Sequence, residues 1–128
     1  VFKALKRRES VVMLLDQNVG WHKGVFVDFF GRRACTSYGL AFIALKTGAA
    51  VVPVFVVRDA DGAGFTAEIG PEIPLIKTGD HQKDLEENTQ RYNDALEAVI
   101  RRHPDQWFWV HRRWKTRPYS PWPRTDHS

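Results

Sequence analysis

Apolar and polar positions are grouped in blocks whose spacing predicts distinct elements. Val11–Leu15 is an unbroken apolar run with β-branched residues and no breaker, which predicts a buried strand. Ala49–Val57 is a second such run, in which Pro53 removes a ladder donor and so predicts an edge or a bulge. Between them, Thr36 or Ser37 is placed to cap a helix of about three turns, with Lys46 in the last turn and Gly48 as a left-handed stop. Two buried strands joined through a helix are the smallest unit of a parallel α/β sheet, because parallel neighbours need a long crossover. Lys3 to Glu9 reads as the end of a helix, and Val25–Val27 as a short strand. Past the second run, Asp59 to Gly64 has turn chemistry and Phe65–Ile69 alternates apolar with polar residues, predicting an antiparallel hairpin. From Asp80 to His103, Leu85, Thr89, Tyr92, Leu96, Val99 and Ile100 recur at helical spacing. Acidic residues open that helix, Arg101, Arg102 and His103 close it in keeping with its dipole, and Pro104 stops it.

Open α/β sheets bind ligands at the C-terminal ends of their strands. Asp16 and Gln17 close the first predicted strand, Arg58 closes the second, and Phe29-Phe30-Gly31 leads toward the helix with Arg32 behind it. A helix N-terminus there would suit an anion. Composition narrows the rest. With 128 residues, 43% of them hydrophobic, the chain makes one domain. Its single cysteine, Cys35, excludes an internal disulfide and a Cys-based zinc site, and the five histidines lack ligand spacing, so no metal and no cofactor is expected. The net charge of +4 favours anionic partners. No apolar run reaches the roughly 20 residues of a bilayer span, so the expected membrane contact is peripheral. The start at Val1, followed by a basic segment, reads as a piece of a longer protein.

The C-terminal stretch interleaves Trp107, Trp109 and Trp114 with Arg112, Arg113, Lys115 and Arg117. Such a pattern fits a small nucleic-acid-binding module, provided the indoles face solvent. In an extended conformation, however, Trp107, Trp109 and His111 share one face and Phe108 and Val110 the other. Both faces are then apolar, which predicts burial and leaves Arg112, Arg113 and Lys115 for anion or lipid-headgroup contact. The Pro-rich residues 119–128 are expected to be a disordered tail.

Four stretches together resemble one family: DQN at 16–18, GVFVDFFGRRACT at 24–36, TGAAVVPVF at 47–55 with Arg58, and QWFWVHRRWKTRP at 106–118. Their order and spacing are similar to the C-terminal part of the bacterial lipid A biosynthesis acyltransferases, the lauroyl/myristoyl group of the glycerolipid acyltransferase superfamily. The resemblance covers residues 1–118. It implies an α/β fold, the C-terminal portion of a sheet with helices on both faces. It also implies transfer of a fatty acyl chain from acyl carrier protein to a lipid A precursor or similar glycolipid, at the cytoplasmic face of the bacterial inner membrane. By resemblance, Asp16, Gln17, Phe29, Phe30, Gly31, Arg32 and Arg58 contact the acceptor, and no nucleic acid is a partner. The family's general base, a His followed after four intervening residues by Asp or Glu, has no counterpart. His22 and Asp28 have five residues between them and stand where the family has its Gly-rich connection. The chain alone is therefore expected to be inactive, with His22 dispensable.

Overall fold

The computed structural model describes residues 1–107, 112–116 and 118. Helices α1 (Phe2–Lys6), α2 (Gly39–Thr47) and α3 (His81–Arg102) accompany strands β1 (Gly24–Phe29), β2 (Arg32–Ser37), β3 (Val54–Arg58) and β4 (Phe65–Ile69). Short 3-10 turns lie at Trp21–Lys23 and Pro104–Gln106. Both sheets are two-stranded and antiparallel, β1 with β2 and β3 with β4. Helices and small sheets together agree with the α/β class, but the expected parallel pair is not formed. Val11–Leu15 is neither a strand nor buried: Val12 is 91% exposed and Leu14 85%. An apolar run becomes a strand only when a neighbour supplies the other half of the ladder, and no described residue does so here.

The expected hairpin of the second run with Phe65–Ile69 is present, in register from Val54 opposite Ile69 to Arg58 opposite Phe65. Pro53 precedes β3, where its missing N–H costs nothing. The long helix also forms as its periodicity requires. Asp80 caps it by accepting from the Lys83 amide at 3.2 Å, and Leu85, Thr89, Tyr92, Val99 and Ile100 are buried along one stripe. Helix α2 ends at Gly48 with φ +72°, as predicted, although it starts at Gly39. Thr36 is a strand residue instead, and the Ser37 hydroxyl accepts from the Gly39 amide at 3.2 Å.

A larger correction concerns Phe29-Phe30-Gly31, which does not lead into a helix. Phe30 (φ +51°) and Gly31 (φ +77°) are the two central residues of a tight turn joining β1 directly to β2. Positive φ at both positions is the type I′ pattern, whose twist matches the strands it joins. Arg32 and Arg33 consequently sit in β2, and the expected anion site at a helix N-terminus does not exist there.

Helix α3 lies against β1 and joins two core clusters. One gathers Val25, Val27, Ala41, Leu85 and Tyr92; the other gathers Phe29, Ala34, Val57, Val99 and Ile100, with Phe30, Phe55, Leu96, Trp107 and Trp114 packed against it. Polar side chains finish the join. In β1 the residues opposite 32, 34 and 36 bond across the hairpin, so the backbone of Asp28 points outward. Gln90 meets it at both ends, accepting from the Asp28 amide at 2.7 Å and donating to the Asp28 carbonyl at 2.9 Å. Asn88 does the same for Ile76 at 2.9 and 2.8 Å, and Gln106 for Arg58 at 2.7 and 3.1 Å. At the helix start the Asp84 carboxylate accepts from the amides of Thr78 and Gly79 and from the Thr78 hydroxyl. At its end Arg102 (2.8 Å) and His103 (3.2 Å) both hold Glu68 of β4.

Candidate functional site

The four stretches that carry the resemblance, distant in sequence, meet in space. Asn18 donates to the Thr116 hydroxyl at 3.1 Å and accepts from its amide at 3.1 Å, while that hydroxyl donates to the Val19 carbonyl at 2.8 Å. Arg113 donates to the Cys35 carbonyl at 3.0 Å, to the Thr36 hydroxyl and to Asn93 Oδ1 at 3.3 Å. Gln106 clasps Arg58 at the end of β3. The 106–118 stretch thus ties together the segment after Asp16, the β1–β2 hairpin and the second apolar run.

At the centre lies Phe29, fully buried, with ring centroids 4.7 Å from Phe30, 6.1 Å from Trp107 and 5.4 Å from Trp114. Its ring also carries the Arg113 guanidinium at 5.3 Å. Arg32 stacks over Trp114 at 5.0 Å, and Arg101 over Phe30 at 4.6 Å. The β1–β2 turn is held from outside by Glu97, which accepts from the Phe30 amide.

Arg113 requires a correction. It was expected at the surface for anion contact, yet it is wholly buried, its two terminal nitrogens donating to oxygens of three residues while its Nε meets no hydrogen-bond partner among the described residues. Burial pushes its pKa down to about 10, with the charge on Asp16 among the influences opposing that fall, and it remains a cation at neutral pH. Arg112 and Lys115, by contrast, are exposed as expected. Arg117, Trp109 and His111 lie outside the described residues, as does the 119–128 tail.

Asp16 is half-buried and lines two neighbouring cavities. The first, of about 210 Å³, is walled by apolar residues of the Val11–Leu15 run, α2, the second apolar run and α3, including Leu14, Leu40, Phe55 and Leu96. Tyr92 also lines it, and the Tyr92 hydroxyl is buried with no hydrogen-bond partner among the described residues. Burial raises the Tyr92 pKa, so the hydroxyl stays neutral. The second cavity, about 170 Å³, lies between Asp16, Phe55, His103 and Trp107. Gln17 and Gly31 are exposed beside this architecture, and Arg58 is exposed on the other hairpin.

Of the residues expected to touch an acceptor, the structure gathers Phe29, Phe30 and Arg32 in one cluster, in which Phe29 is core. Asp16 faces the cavities instead, Gln17 is exposed, and Arg58 is tied to the region through its backbone, which Gln106 clasps, while the residue stays exposed. Thr36, Thr116 and Asn93 were missed as partners of this region; Thr36 and Thr116 lie within the motif stretches, whereas Asn93 sits in α3, outside all of them. The Asp28 carboxylate turns to Arg33 at 3.3 Å rather than to His22. Cys35 is a core residue whose thiol pKa burial raises, against a smaller opposing effect of Arg113. No His, Cys, Asp and Glu group that could hold a metal occurs among the described residues. No helix among them is long and apolar enough to cross a membrane.

Comparison with known proteins connects this geometry to a family. The family model described as "Bacterial lipid A biosynthesis acyltransferase" matches residues 1–116. The chain is 35% identical to the lipid A biosynthesis palmitoleoyltransferase of Escherichia coli (strain K12) over 116 residues, covering 90% of this chain and 36% of that protein. It is likewise 35% identical to the lipid A biosynthesis lauroyltransferase of the same organism, covering 92% and 38%. A phosphatidylinositol mannoside acyltransferase of Mycobacterium tuberculosis (strain CDC 1551 / Oshkosh) is 30% identical over 84% of this chain and 32% of its own length. The chain therefore spans about a third of the length of the curated relatives it matches. Across nearly its whole length, from the α1 helix to the Thr116 clasp, this chain belongs to the bacterial lipid A biosynthesis acyltransferase family.

Proposed function

We propose that the chain is the C-terminal part of an acyltransferase that moves a fatty acyl chain from acyl carrier protein to a lipid A precursor or a similar glycolipid. Residues 1–118 supply the sheet core and the acceptor-pocket wall, and the base that activates the acceptor hydroxyl comes from outside these residues. The carrying observation is the convergence of the four motif stretches around Phe29 and Arg113, beside an apolar cavity with Asp16 at its wall. A cavity of that character accepts aliphatic chain, while exposed Arg32, Arg112 and Lys115 are free to approach lipid phosphates or the acidic carrier protein. Both partners place the work at the cytoplasmic face of the inner membrane, with peripheral contact from this part.

The nucleic-acid reading requires indoles open to stacking. Trp107 and Trp114 are instead packed into the second core cluster, with Arg32 lying over Trp114. Acyl transfer is therefore the better supported reading.

The test is a chimera of the E. coli palmitoleoyltransferase in which residues 1–116 of this chain replace the segment they match. Acyl transfer from acyl carrier protein to a lipid A precursor is expected from the chimera and not from the 128-residue chain alone. His22→Ala should leave the rate unchanged, and Arg32→Ala should raise the acceptor KM. Turnover by the isolated chain, or a folded chimera without transfer, overturns the reading. Micromolar binding of a single-stranded oligonucleotide that weakens steeply with salt would replace it with the nucleic-acid one.

A further inference from the structure

The β3–β4 hairpin turns an apolar face to solvent. Residues opposite one another in an antiparallel pair project to the same side, so Val54 with Ile69, Val56 with Ala67, and Phe65 beside Arg58 line one face. Val54 is 57% exposed, and Val56, Ile69 and Phe65 are about 70% exposed. The opposite face, with Phe55 and Val57, already packs against the core.

The edge of β3 is open as well. The Asp59 amide donates to the Gly64 carbonyl, and the Gly70 amide to the Pro53 carbonyl, both at 2.9 Å. Alternation along an antiparallel ladder then sends the backbone groups of residues 54, 56 and 58 outward. Those of Arg58 are taken by Gln106, whereas those of Val54 and Val56 meet no partner among the described residues. Across the 210 Å³ cavity from this edge lies the exposed Val11–Leu15 run: Leu14 and Val54 both line that cavity, so the two apolar surfaces border the same opening.

We infer that Val12, Leu14, Val54, Val56, Phe65 and Ile69 form one docking surface for polypeptide, namely the part of the enzyme that the matched relatives carry beyond the segment aligned with this chain. The inference rests on the acyltransferase reading. Lipid tails could cover the side chains but not the backbone groups, because hydrocarbon offers neither donors nor acceptors. Only another polypeptide satisfies both, and the relatives hold the greater share of their length outside the matched segment. Docking there also roofs the cavity, turning an open apolar slot into an enclosed pocket.

Amide hydrogen exchange, resolved by NMR, tests this on the chimera described above. The Val54 and Val56 amides should exchange rapidly in the isolated chain and at least on the order of 100-fold more slowly in the chimera. Val56→Lys should abolish that protection while leaving the melting temperature of the isolated chain unchanged. Equal exchange in both proteins sinks the inference. So does protection of these amides in the isolated chain by dimer formation, seen in sedimentation, or by vesicles of phosphatidylethanolamine and phosphatidylglycerol. Should the chimera not fold, the unmatched part of the palmitoleoyltransferase, expressed separately, should co-elute with the wild-type chain and not with Val56→Lys; no co-elution counts against the surface. Acyl transfer without amide protection removes the docking surface alone, and protection without transfer removes the acyl-transfer reading alone.

Discussion

Hairpins β1–β2 and β3–β4 are both two-stranded and antiparallel, and each has an apolar face, yet only the first is closed on its outward side. Val25, Val27 and Phe29 of β1 are buried against α2 and α3 or the indoles, and the outward backbone of Asp28 is taken by Gln90 and Asn93. In β3 only Arg58 receives such a partner, while Val54 and Val56 keep both an exposed side chain and an open backbone. An isolated two-stranded hairpin is marginal in water, so what stabilises each is the surface laid against it. One hairpin has that surface within the chain, and the other presents it.

The sharpest way to break the comparison is to truncate equivalent apolar residues on the two hairpins. Phe29→Ala should cost roughly 3–5 kcal/mol in urea unfolding, since it empties the centre of the second cluster. Val56→Ala in the isolated chain should stay within about 0.5 kcal/mol, because its side chain has little to lose. Equal costs would mean that β3 is as enclosed as β1. Next comes Arg113→Ala, which strips donors from three buried oxygens and should cost roughly 2–4 kcal/mol. Arg113→Lys should recover little of it, since an ammonium cannot span the fork. A change near zero would return Arg113 to the surface. Gln90→Ala should cost about 1 kcal/mol and speed exchange of the Asp28 amide, bringing β1 closer to the open condition of β3.

The smallest effect concerns acid. The Thr78 hydroxyl, helped by the amides of Thr78 and Gly79 and opposed by desolvation, holds the Asp84 carboxyl below the usual range. A folded pKa below the unfolded one means a contribution that is complete above about pH 4 and lost as pH falls through the folded value. Asp84→Asn should therefore lower the melting temperature at pH 7 and flatten its decline below about pH 4. An unaltered acid limb would show that other carboxylates carry it.

Where one element's own residues settle its conformation, the sequence suffices. The α3 stripe with its acidic start, the Gly48 stop and the β3–β4 pairing were all readable, because periodicity and turn residues act over a few positions. Val11–Leu15 misled because an apolar run looks the same whether or not a neighbouring strand is at hand. The Phe30–Gly31 turn was hidden by composition: type I′ turns favour Asn or Asp first, and a phenylalanine at φ +51° is uncommon. Arg113 stands among exposed Arg112 and Lys115, and nothing local sets it apart. Its acceptors at Cys35 and Thr36 are more than seventy positions away in the chain. The candidate site was legible as a set of stretches, while its internal roles depended on contacts of that kind.

The three carboxamides that clasp Ile76, Asp28 and Arg58 have a chemical consequence. A primary amide sets a donor and an acceptor side by side, as a peptide group does, but no further chain follows it. Each clasp therefore terminates hydrogen bonding at the backbone it holds instead of passing it on. Hydrolysis of that amide to a carboxylate, the ordinary ageing reaction of asparagine and glutamine, removes the donor and sets one anion oxygen against a backbone carbonyl. In this protein such ageing at Gln90 would unseal the β1 strand with no change in the polypeptide backbone.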